Sequence, residues 1–438
     1  MTVLGAVSFM AQLDFFIVNV ALDGIGKSFP GSTGSTLSWV LNAYAVVFAA
    51  VLVAAGRFAD RYGRRTVLLV GVAVFTLASG LAAVAPSLGF LILARAIQAI
   101  GAAMIVPTSL GLLYPSFPKH QHTLVVGLWA GVAAVAAAAG PPVGGLLVTV
   151  DWRWIFLINL PIGAATIIGG LKWLPEHREP RGSRLPDILS AVSLLLAVAF
   201  LILGIVQGHD WSWGNWRTIA IFAVAAVLAA VTIRRSWSAA APIIERDLFR
   251  NRQFTAATIT LLAYFTGFSI FLLGSALFMQ NVWHFSALQT GAALTPTPLA
   301  GMGFATTAGP IQRRFGRTLP AVAGALLMVA AAVYWLVAVG DHPAYATTML
   351  PGLILMGISG GLSQAPMFAV AGTLSPHRAA TGSAVLNMSR QVGSAVGVAV
   401  LVALTAAGAG VPGFAHAWWV MAGTGLFAAA TLVTLRRP

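Results

Sequence analysis

Two ionisable side chains lie deep inside apolar stretches of this sequence. Asp14 comes about eleven residues into a run that begins near residue 3, and Arg95 about seven residues into one that begins near Leu88. At 1.5 Å per helical residue these offsets are about 17 Å and about 10 Å of a hydrocarbon core about 30 Å thick. A carboxylate at that depth costs about 3 kcal/mol to insert, so it needs a partner, water or a proton. If the two helices enter from opposite sides and pack together, Asp14 and Arg95 become neighbours.

The pair has two interpretations. Burial favours the neutral acid, whereas the Arg95 guanidinium favours the carboxylate. Where these effects nearly balance, Asp14 binds and releases protons, and the pair serves proton coupling. The alternative is a permanent structural ion pair. All eight histidines lie in loops or at the ends of apolar runs, which argues against a histidine relay.

Further polar side chains in the apolar runs could contact a substrate. Gln12 and Asn19 are seven residues apart and share one stripe of their helix, which Asp14 does not. Singly, each such residue could equally be a hydrogen bond between two helices. The predicted substrate cavity comprises Gln12, Phe16, Asn19, Asn42, Tyr44, Gln98, Asn387 and Arg390.

The composition predicts an all-α polytopic membrane protein. Hydrophobic residues make up 58% of the 438 residues and charged residues only 8%, against about 25% charged residues in soluble domains. Fourteen apolar runs are each long enough to cross a bilayer. They lie at 3–25, 37–55, 66–85, 88–113, 124–149, 155–174, 188–207, 216–233, 255–279, 291–310, 319–339, 347–372, 385–406 and 414–435.

The basic residues predict the orientation. Twenty lysines and arginines lie in one alternating set of loops and tails, and three lie in the other set. This bias predicts that both termini are cytoplasmic, in the inner membrane of a bacterial cell. The net charge of +14 therefore reflects topology, because the charges are spread over many loops, and we expect no nucleic-acid partner.

An internal repeat divides the chain. The segment Gly56–Arg64 aligns without gaps on Gly309–Arg317, and each follows the second span of its half. A duplicated six-helix bundle is typical of secondary transporters. We expect a bundle at 1–174, linkers with an extra helix pair at 175–254, and a bundle at 255–438, which is six plus two plus six spans.

Four motifs make the sequence resemble the major facilitator superfamily, specifically its fourteen-span drug:proton antiporters: Leu13–Leu22, Gly56–Arg65, Gly140–Gly145 and Trp152–Pro161. The resemblance covers essentially the whole chain and implies the major facilitator fold. It implies proton coupling for Asp14, and proton transfer for Arg95. Phe16 and Asp23 depart from the usual first-span pattern, which has threonine and proline at those positions.

The resemblance also implies roles for two motifs. The segment Gly56–Arg65 is expected to be a gating loop that holds the outward-open state, with Gly56, Asp60, Arg61, Gly63, Arg64 and Arg65 as its members. Its arginines can pair with Asp60 or with carbonyls at helix C-termini. The span 5 antiporter motif, Gly140, Pro141, Gly144 and Gly145, is typical of exporters. Gly140-Pro141-Pro142 should kink or break its helix.

These features predict a proton-coupled antiporter that exports small lipophilic or aromatic compounds by alternating access. The alternative is a carrier of a specific metabolite with the same fold. We expect no enzymatic activity, no cofactor and no metal, because the sequence has no coherent catalytic constellation and no cysteine. The expected partners are a small-molecule substrate, protons and the lipid bilayer, and the chain is expected to be a monomer.

Overall fold

The computed structural model describes an all-helical chain. The described residues are 2–116, 118, 122–176, 187–238, 246–316, 318–374, 376–407 and 410–434. Helices are the expected outcome, because an apolar segment in lipid must satisfy its backbone hydrogen bonds within itself. The α-helices are α1 (Thr2–Ser28), α2 (Gly34–Tyr62), α3 (Arg64–Ala83), α4 (Leu88–Ser116), α5 (His122–Val150), α6 (Trp154–Leu157), α7 (Asn159–Trp173), α8 (Ile188–Trp211), α9 (Trp216–Ser238), α10 (Arg252–Asn281), α11 (Ala287–Leu294), α12 (Pro296–Phe315), α13 (Thr318–Ala338), α14 (Met349–Ala369), α15 (Pro376–Ala407) and α16 (Val411–Thr434).

Twelve helical segments in the described part of the chain are long and apolar enough to cross a membrane. They coincide with predicted spans 1–4, 6–9 and 11–14, and span 6 combines α6 and α7. Span 5 is represented by the shorter apolar segment Val135–Val150 of α5. Twelve candidate spans are therefore established, and the count of fourteen stays a prediction.

The structure corrects three expected boundaries. Helix α5 continues through Pro141 and Pro142, so of the two expected outcomes, a kink or a break, the break is excluded; prolines are tolerated in such helices because neighbouring groups compensate for the lost donors. Predicted span 10 is divided at Thr295, where Pro296 begins α12 and cannot donate to the preceding turn. Helix α9 extends to Ser238, so the polar segment expected to begin at Arg234 starts as helix.

The internal repeat, Gly56–Arg64 aligned on Gly309–Arg317, also has a structural counterpart. Helix α2 runs to Tyr62 and α3 begins at Arg64, so most of the segment expected to be a loop is helical and Gly63 alone makes the turn. Gly63 has φ of 108° and the aligned Gly316 has φ of 76°, a region that favours glycine. Both copies therefore turn at the same aligned residue.

The chain forms two compact units. One comprises Met1–Ala199 with Val224–Ile243, and the other comprises Phe200–Ala223 with Ile244–Pro438. In the first unit α1 packs on α5, and α4 packs on both α2 and α3. In the second unit α10 packs on α15 and α16, and α14 packs on α12 and α13.

Each unit has its own core. Val7 and Met10 of α1, Phe48 of α2 and Phe75 of α3 belong to one buried apolar cluster in the first unit. The second unit has an aromatic core, in which the ring centroids of Phe271 and Trp335, and of Trp335 and Trp418, are 5.8 Å apart. These packed helices hold polar side chains at fixed positions.

Candidate functional site

Asp14 and Arg95 form an ion pair in the first unit. Arg95 Nη1 lies 2.6 Å from Asp14 Oδ2, and both residues are 1% exposed. The contact predicted from their similar depths is confirmed, whereas their role in proton transfer stays a prediction. Burial of two opposite charges is tolerated only where further hydrogen bonds satisfy the remaining polar atoms.

Gln98 and Ser79 supply some of these further hydrogen bonds. Gln98 lies one turn after Arg95 on α4 and accepts from Arg95 Nη1 at 2.6 Å, while its Nε2 donates to Asp14 Oδ1 at 2.8 Å. The same Nε2 donates to Ser79 Oγ of α3 at 2.7 Å. Gln98 is fully buried in this cluster. Its predicted contact with substrate stays a prediction.

Asn159 completes the shell around the carboxylate. Its Nδ2 donates to Asp14 Oδ1 at 3.1 Å and to Ser79 Oγ at 3.3 Å. Asn159 is the first residue of α7 and is fully buried. The ionised carboxylate thus receives hydrogen bonds from Arg95, Gln98 and Asn159, so its desolvation is offset by three donors.

Arg95 has neutral partners as well as Asp14. Its Nε donates to the Val40 carbonyl oxygen at 3.2 Å, and its guanidinium carbon lies 4.4 Å from the centroid of the Tyr44 ring. A cation over an aromatic face is stabilised electrostatically. Together with Gln98 Oε1, these contacts would remain if Asp14 became neutral, so a proton can arrive without leaving Arg95 unsolvated.

Close helix approach fixes the position of the cluster. A Cβ at Gly140 would lie 2.6 Å from Phe16 Cβ, and one at Gly144 would lie 3.0 Å from the Ile17 carbonyl oxygen. Between α3 and α4, a Cβ at Gly101 would lie 2.7 Å from the Gly71 carbonyl oxygen. The span 5 motif therefore packs α5 directly against the part of α1 that carries Asp14.

The remaining predicted cavity residues of the first unit have separate environments. Asn19 donates to the Phe15 carbonyl oxygen of its own helix at 2.9 Å. Asn42 is fully buried and donates to Ser38 Oγ at 3.4 Å. Gln12 and Phe16 are half-buried. Of the predicted set, the structure brings Tyr44 and Gln98 to the ion pair.

In the second unit, Asn387 and Arg390 lie on α15. Asn387 donates to the Ser383 carbonyl oxygen at 3.0 Å, and the Arg390 guanidinium lies 5.7 Å from the Phe265 ring centroid. The sequence did not single out Tyr264 of α10, whose hydroxyl lies 2.9 Å from Ser359 Oγ of α14. A buried tyrosine in an apolar span is the signal that could have found this contact.

The predicted gating loop is anchored by two arginines. Arg64 Nη1 donates to the Gly111 carbonyl oxygen of α4 at 2.9 Å, and Arg65 Nε donates to the Gly170 carbonyl oxygen of α7 at 3.2 Å. Arg65 Nη2 also donates to the Leu171 carbonyl oxygen at 2.5 Å. Pairing with carbonyls near helix C-termini, one of the two predicted options, is confirmed for both.

The other described members of the predicted gating loop make weaker contacts. Arg61 lies over the Tyr62 ring at 5.7 Å. A Cβ at Gly56 would be 3.7 Å from Pro107, an ordinary contact distance. The Asp60 side chain, and that of Arg313 in the second copy, lie outside the described part of the structure, so the predicted Asp60 pairing is untested.

Glu176 is a loop partner that the sequence analysis missed. Its carboxylate accepts from the backbone N–H of Arg65 at 3.1 Å, from that of Thr66 at 3.2 Å and from Thr66 Oγ1 at 2.6 Å. A carboxylate at a helix N-terminus satisfies free N–H groups and opposes the helix dipole. The signal was an acidic residue directly after an apolar span in an otherwise basic segment.

Outside the apolar core, α8 and α9 are joined by another ion pair. Arg235 Nε donates to Asp187 Oδ2 at 2.7 Å, and Arg235 Nη2 donates to Asp187 Oδ1 at 3.0 Å. The hydrogen bonds from Arg235 lower the pKa of Asp187 to about 2. The contact joins the start of α8 to the end of α9.

Curated relatives are similar over most of the chain. A multidrug resistance protein, Stp, of Mycobacterium tuberculosis (strain CDC 1551 / Oshkosh) is 34% identical over 403 residues, which are 91% of this chain and 74% of that protein. A methylenomycin A resistance protein of Streptomyces coelicolor is 35% identical over 402 residues, 90% and 82% of the two chains. A tetracenomycin C resistance and export protein of Streptomyces glaucescens is 31% identical over 410 residues, 92% and 74%.

Solved structures share the fold. A D-xylose-proton symporter superposes with a TM-score of 0.72 at 13% identity, covering 98% of this chain and 96% of that chain. The nucleoside transporter NupG superposes with a TM-score of 0.67 at 12% identity, covering 99% and 100%. At such low identity the likeness concerns the fold alone.

The family profile for the Major Facilitator Superfamily matches residues 4–398. Transporters of this family move small molecules across membranes, which agrees with a chain rich in apolar helices. With that match and with relatives above 30% identity, the chain is a multi-pass membrane transport protein, not an enzyme, and belongs to the Major Facilitator Superfamily.

Proposed function

We propose that this chain is a proton-coupled antiporter that exports small lipophilic or aromatic compounds, such as drugs, antibiotics or natural products, by alternating access. The observation that carries the proposal is the buried Asp14–Arg95 pair, with a 2.6 Å contact and neutral partners that can stabilise Arg95 when Asp14 is protonated. Relatives named for antibiotic resistance and export support the direction and the class of cargo.

An open apolar cavity in the first unit supports a lipophilic cargo. It has a volume of about 480 Å³ and is lined by Thr2, Gly5, Ala6, Phe9, Val132 and Ile162. Small-molecule sites typically have volumes of about 300–1,000 Å³ and mostly apolar walls. Cargo contacts from Gln12, Phe16, Asn19, Asn42, Asn387 and Arg390 belong to the same proposal.

The topology proposed here has fourteen spans, in which α5 and α12 complete the twelve candidate spans. It comprises two six-helix bundles, at 1–174 and 255–438, with α8 and α9 as the extra pair, as in fourteen-span drug:proton antiporters. The chain is a monomer in the bacterial inner membrane with both termini cytoplasmic, an orientation supported by the twenty-to-three bias of basic residues.

The gating role proposed for the Gly56–Arg65 segment is supported by its contacts. Arg64 and Arg65 join the start of α3 to α4 and α7, so movement of α3 must break or carry these hydrogen bonds. In the same proposal the span 5 motif sets the approach of α5 to the segment of α1 that carries Asp14.

Uptake of a lipophilic dye by everted vesicles tests the proposal. One proton moving through 100 mV supplies about 2.3 kcal/mol, enough for about fiftyfold accumulation. We expect an imposed proton gradient, acid inside, to drive dye uptake by the wild type. In Asp14→Asn we expect uptake to fall to the level seen without a gradient, because the carboxyl group that carries the proton is gone.

Asp23→Asn is the matched control, because Asp23 lies on the same helix but is half-exposed and pairs with Lys27 at its end. We expect gradient-driven uptake to persist in this variant. Equal gradient-driven uptake by Asp14→Asn and the wild type would refute the coupling role. Uptake confined to one metabolite, with no dye transported, would favour the metabolite carrier instead.

A further inference from the structure

Most of the polar groups around Asp14 have a fixed orientation. Gln98 Oε1 accepts from Arg95 Nη1 at 2.6 Å, so its Nε2 must face Asp14. Rotating the Gln98 amide would place its N–H groups against the guanidinium, which has donors only. Gln98 is therefore held as a donor to the ionised carboxylate and cannot accept a proton from the neutral acid.

Ser79 is fixed for a different reason. Its hydroxyl donates to the Phe75 carbonyl oxygen at 2.9 Å, and this uses its one proton. Its oxygen accepts from Gln98 Nε2 at 2.7 Å and from Asn159 Nδ2 at 3.3 Å, which uses both lone pairs. No acceptor capacity remains on Ser79 for a protonated Asp14.

Asn159 differs from both. Its Nδ2 donates to Asp14 Oδ1 and to Ser79 Oγ, but its Oδ1 is buried and has no hydrogen-bond partner. A buried acceptor without a donor is costly, and such groups are expected to be rare and functional. The torsion that ends in a side-chain amide is roughly two-fold, so a half turn exchanges the positions of oxygen and nitrogen.

We infer that Asn159 is a positioning residue that matches both protonation states of Asp14: its amide donates to the carboxylate and, after a half turn, its Oδ1 accepts from the carboxylic acid. When hydronium gives a proton to Asp14 Oδ1, an O–H bond of the hydronium breaks, one O–H bond forms on Asp14 and water leaves. Arg95 keeps its proton and its contacts with Gln98, Val40 and Tyr44. The inference rests on the proposed proton coupling and deepens it.

Few titratable groups lie near Asp14 in the described helices. Arg95 on α4 contacts Asp14, and Tyr44 on α2 lies against the Arg95 guanidinium. The adjoining segments 66–83, 135–150 and 154–171 contain no acidic, basic, tyrosine or cysteine residue. The carboxylic acid band that Asp14→Asn removes therefore reports Asp14 rather than a neighbouring group.

Infrared difference spectroscopy of the full chain in lipid nanodiscs tests the inference. A pH titration without substrate or gradient follows the carboxylic acid band that Asp14→Asn removes. In the wild type we expect a side-chain amide band, assigned as the one missing from Asn159→Leu, to shift in the same titration. This shift would report the half turn.

The variant Asn159→Leu tests both states of Asp14. Leucine removes the Nδ2 donor from the carboxylate and the proposed Oδ1 acceptor from the acid, whereas Arg95 and Gln98 still donate to the carboxylate. Because each state loses one hydrogen bond, we expect the midpoint to stay within about half a pH unit of the wild type, whereas loss of a fixed donor to the carboxylate alone would raise it by about one unit. The carboxylic acid band should move to higher wavenumber, because the hydrogen bond to Asn159 is lost. Asn159→Ser, which keeps a donor and an acceptor in less space, should show a smaller shift of this carboxylic acid band.

Asn42→Leu is the control. Asn42 is also fully buried with an unpartnered Oδ1, but its amide nitrogen donates to Ser38 Oγ rather than to Asp14. We expect it to leave the carboxylic acid band at its wild-type wavenumber. The same move to higher wavenumber in Asn42→Leu would attribute the effect to a general loosening of the helix packing and overturn the inference.

Three further results would overturn it. An unchanged carboxylic acid band in Asn159→Leu would make Asn159 structural, and a midpoint raised by about one pH unit or more would make it a fixed donor to the carboxylate. If Asn159→Leu does not fold, Asn159→Ser, which also lacks the amide, assigns the amide band, and an assigned band that does not respond to pH in the wild type decides against the half turn. A failure of the proposed function is distinguishable, because Asp14 would then give no titrating band in any of these proteins.

Discussion

The first and fourth helices of each repeat are joined by a buried polar contact, but the two contacts differ in charge. In the first unit Asp14 of α1 meets Arg95 of α4 at 2.6 Å. In the second unit Tyr264 of α10 meets Ser359 of α14 at 2.9 Å. The same place in a duplicated bundle is thus filled once by an ion pair and once by two neutral hydroxyl groups.

The difference in charge indicates that the two contacts have different roles. Asp14 and Arg95 carry formal charges, whereas the contact of Tyr264 with Ser359 joins two hydroxyl groups. The second contact therefore fixes two helices without a role in charge movement. We expect proton coupling in the first unit alone.

Other parts of the repeat are alike. Gly71 lies eight residues after Gly63, and Gly324 lies eight residues after the aligned Gly316. A Cβ at Gly71 would be 3.0 Å from the Gly101 carbonyl oxygen, and one at Gly324 would be 2.8 Å from the Ser359 carbonyl oxygen. The duplication has kept the packing of the third helix on the fourth while the polar contacts have diverged.

The largest expected effect comes from removing one charge of the first contact. Arg95→Leu leaves the Asp14 carboxylate buried without its guanidinium, which should cost about 3–5 kcal/mol of unfolding free energy. Ser359→Ala removes a neutral hydrogen bond from the second contact and should cost about 1 kcal/mol. Unfolding in mixed micelles with increasing denaturing detergent measures both values.

The double variant Asp14→Asn with Arg95→Leu serves as the control for that comparison. It removes both charges, so it should be more stable than Arg95→Leu alone, although its transport should not respond to a gradient. Equal costs for Arg95→Leu and Ser359→Ala would mean that the charged contact is no different in kind from the neutral one.

A smaller effect is expected where the repeats agree. Gly71→Ala and Gly324→Ala each place a methyl group against the backbone of the fourth helix, so each should lower the free energy of unfolding by about 1–3 kcal/mol. Gly423→Ala is the control, because nothing lies within 4 Å of its added Cβ in the described structure. It should be neutral or stabilising by up to about 1 kcal/mol. A large cost at Gly71 and none at Gly324 would show that the two packings have diverged as well.

Much of this architecture could be predicted because the bilayer imposes long apolar runs and the charge bias of the loops. The depth of Asp14 and Arg95 could also be obtained by counting residues along two helices. The break at Pro296 and the unbroken course of α5 through Pro141 and Pro142 could not, because neighbouring helices decide how a proline is accommodated.

The partners of the ion pair were harder to predict than the pair itself. Ser79 and Asn159 are single polar residues in apolar helices, and sequence position alone does not say which helix each of them faces. Asn159 lies 145 residues from Asp14, and the contact depends on how α7 packs beside α1. The contacts of Glu176 could not be predicted for the same reason, since its partners on α3 are more than 100 residues away in the sequence.

The smallest expected effect compares the two aligned turns. Beside Gly63, a Cβ would lie 2.5 Å from the Glu176 carboxylate, whereas nothing in the described structure lies within 4 Å of the same position at Gly316. The first turn of α3 is thus capped by a carboxylate beside Gly63. In the described structure no such group lies beside Gly316, at the start of α13. Glu176→Ala should therefore cost about 1 kcal/mol, localised in the first turn of α3.

Amide hydrogen exchange followed by mass spectrometry measures that local cost. Because about 1 kcal/mol corresponds to a roughly fivefold change in a local opening equilibrium, peptides covering Arg65 and Thr66 should exchange about fivefold faster in Glu176→Ala. Peptides from the first turn of α13 provide the internal control and should keep their rate. Glu176→Gln keeps an acceptor but loses the charge, so it should lie between the wild type and Glu176→Ala. Faster exchange in both turns would mean that Glu176 stabilises the fold as a whole, and the contrast between the two turns would then not depend on its carboxylate.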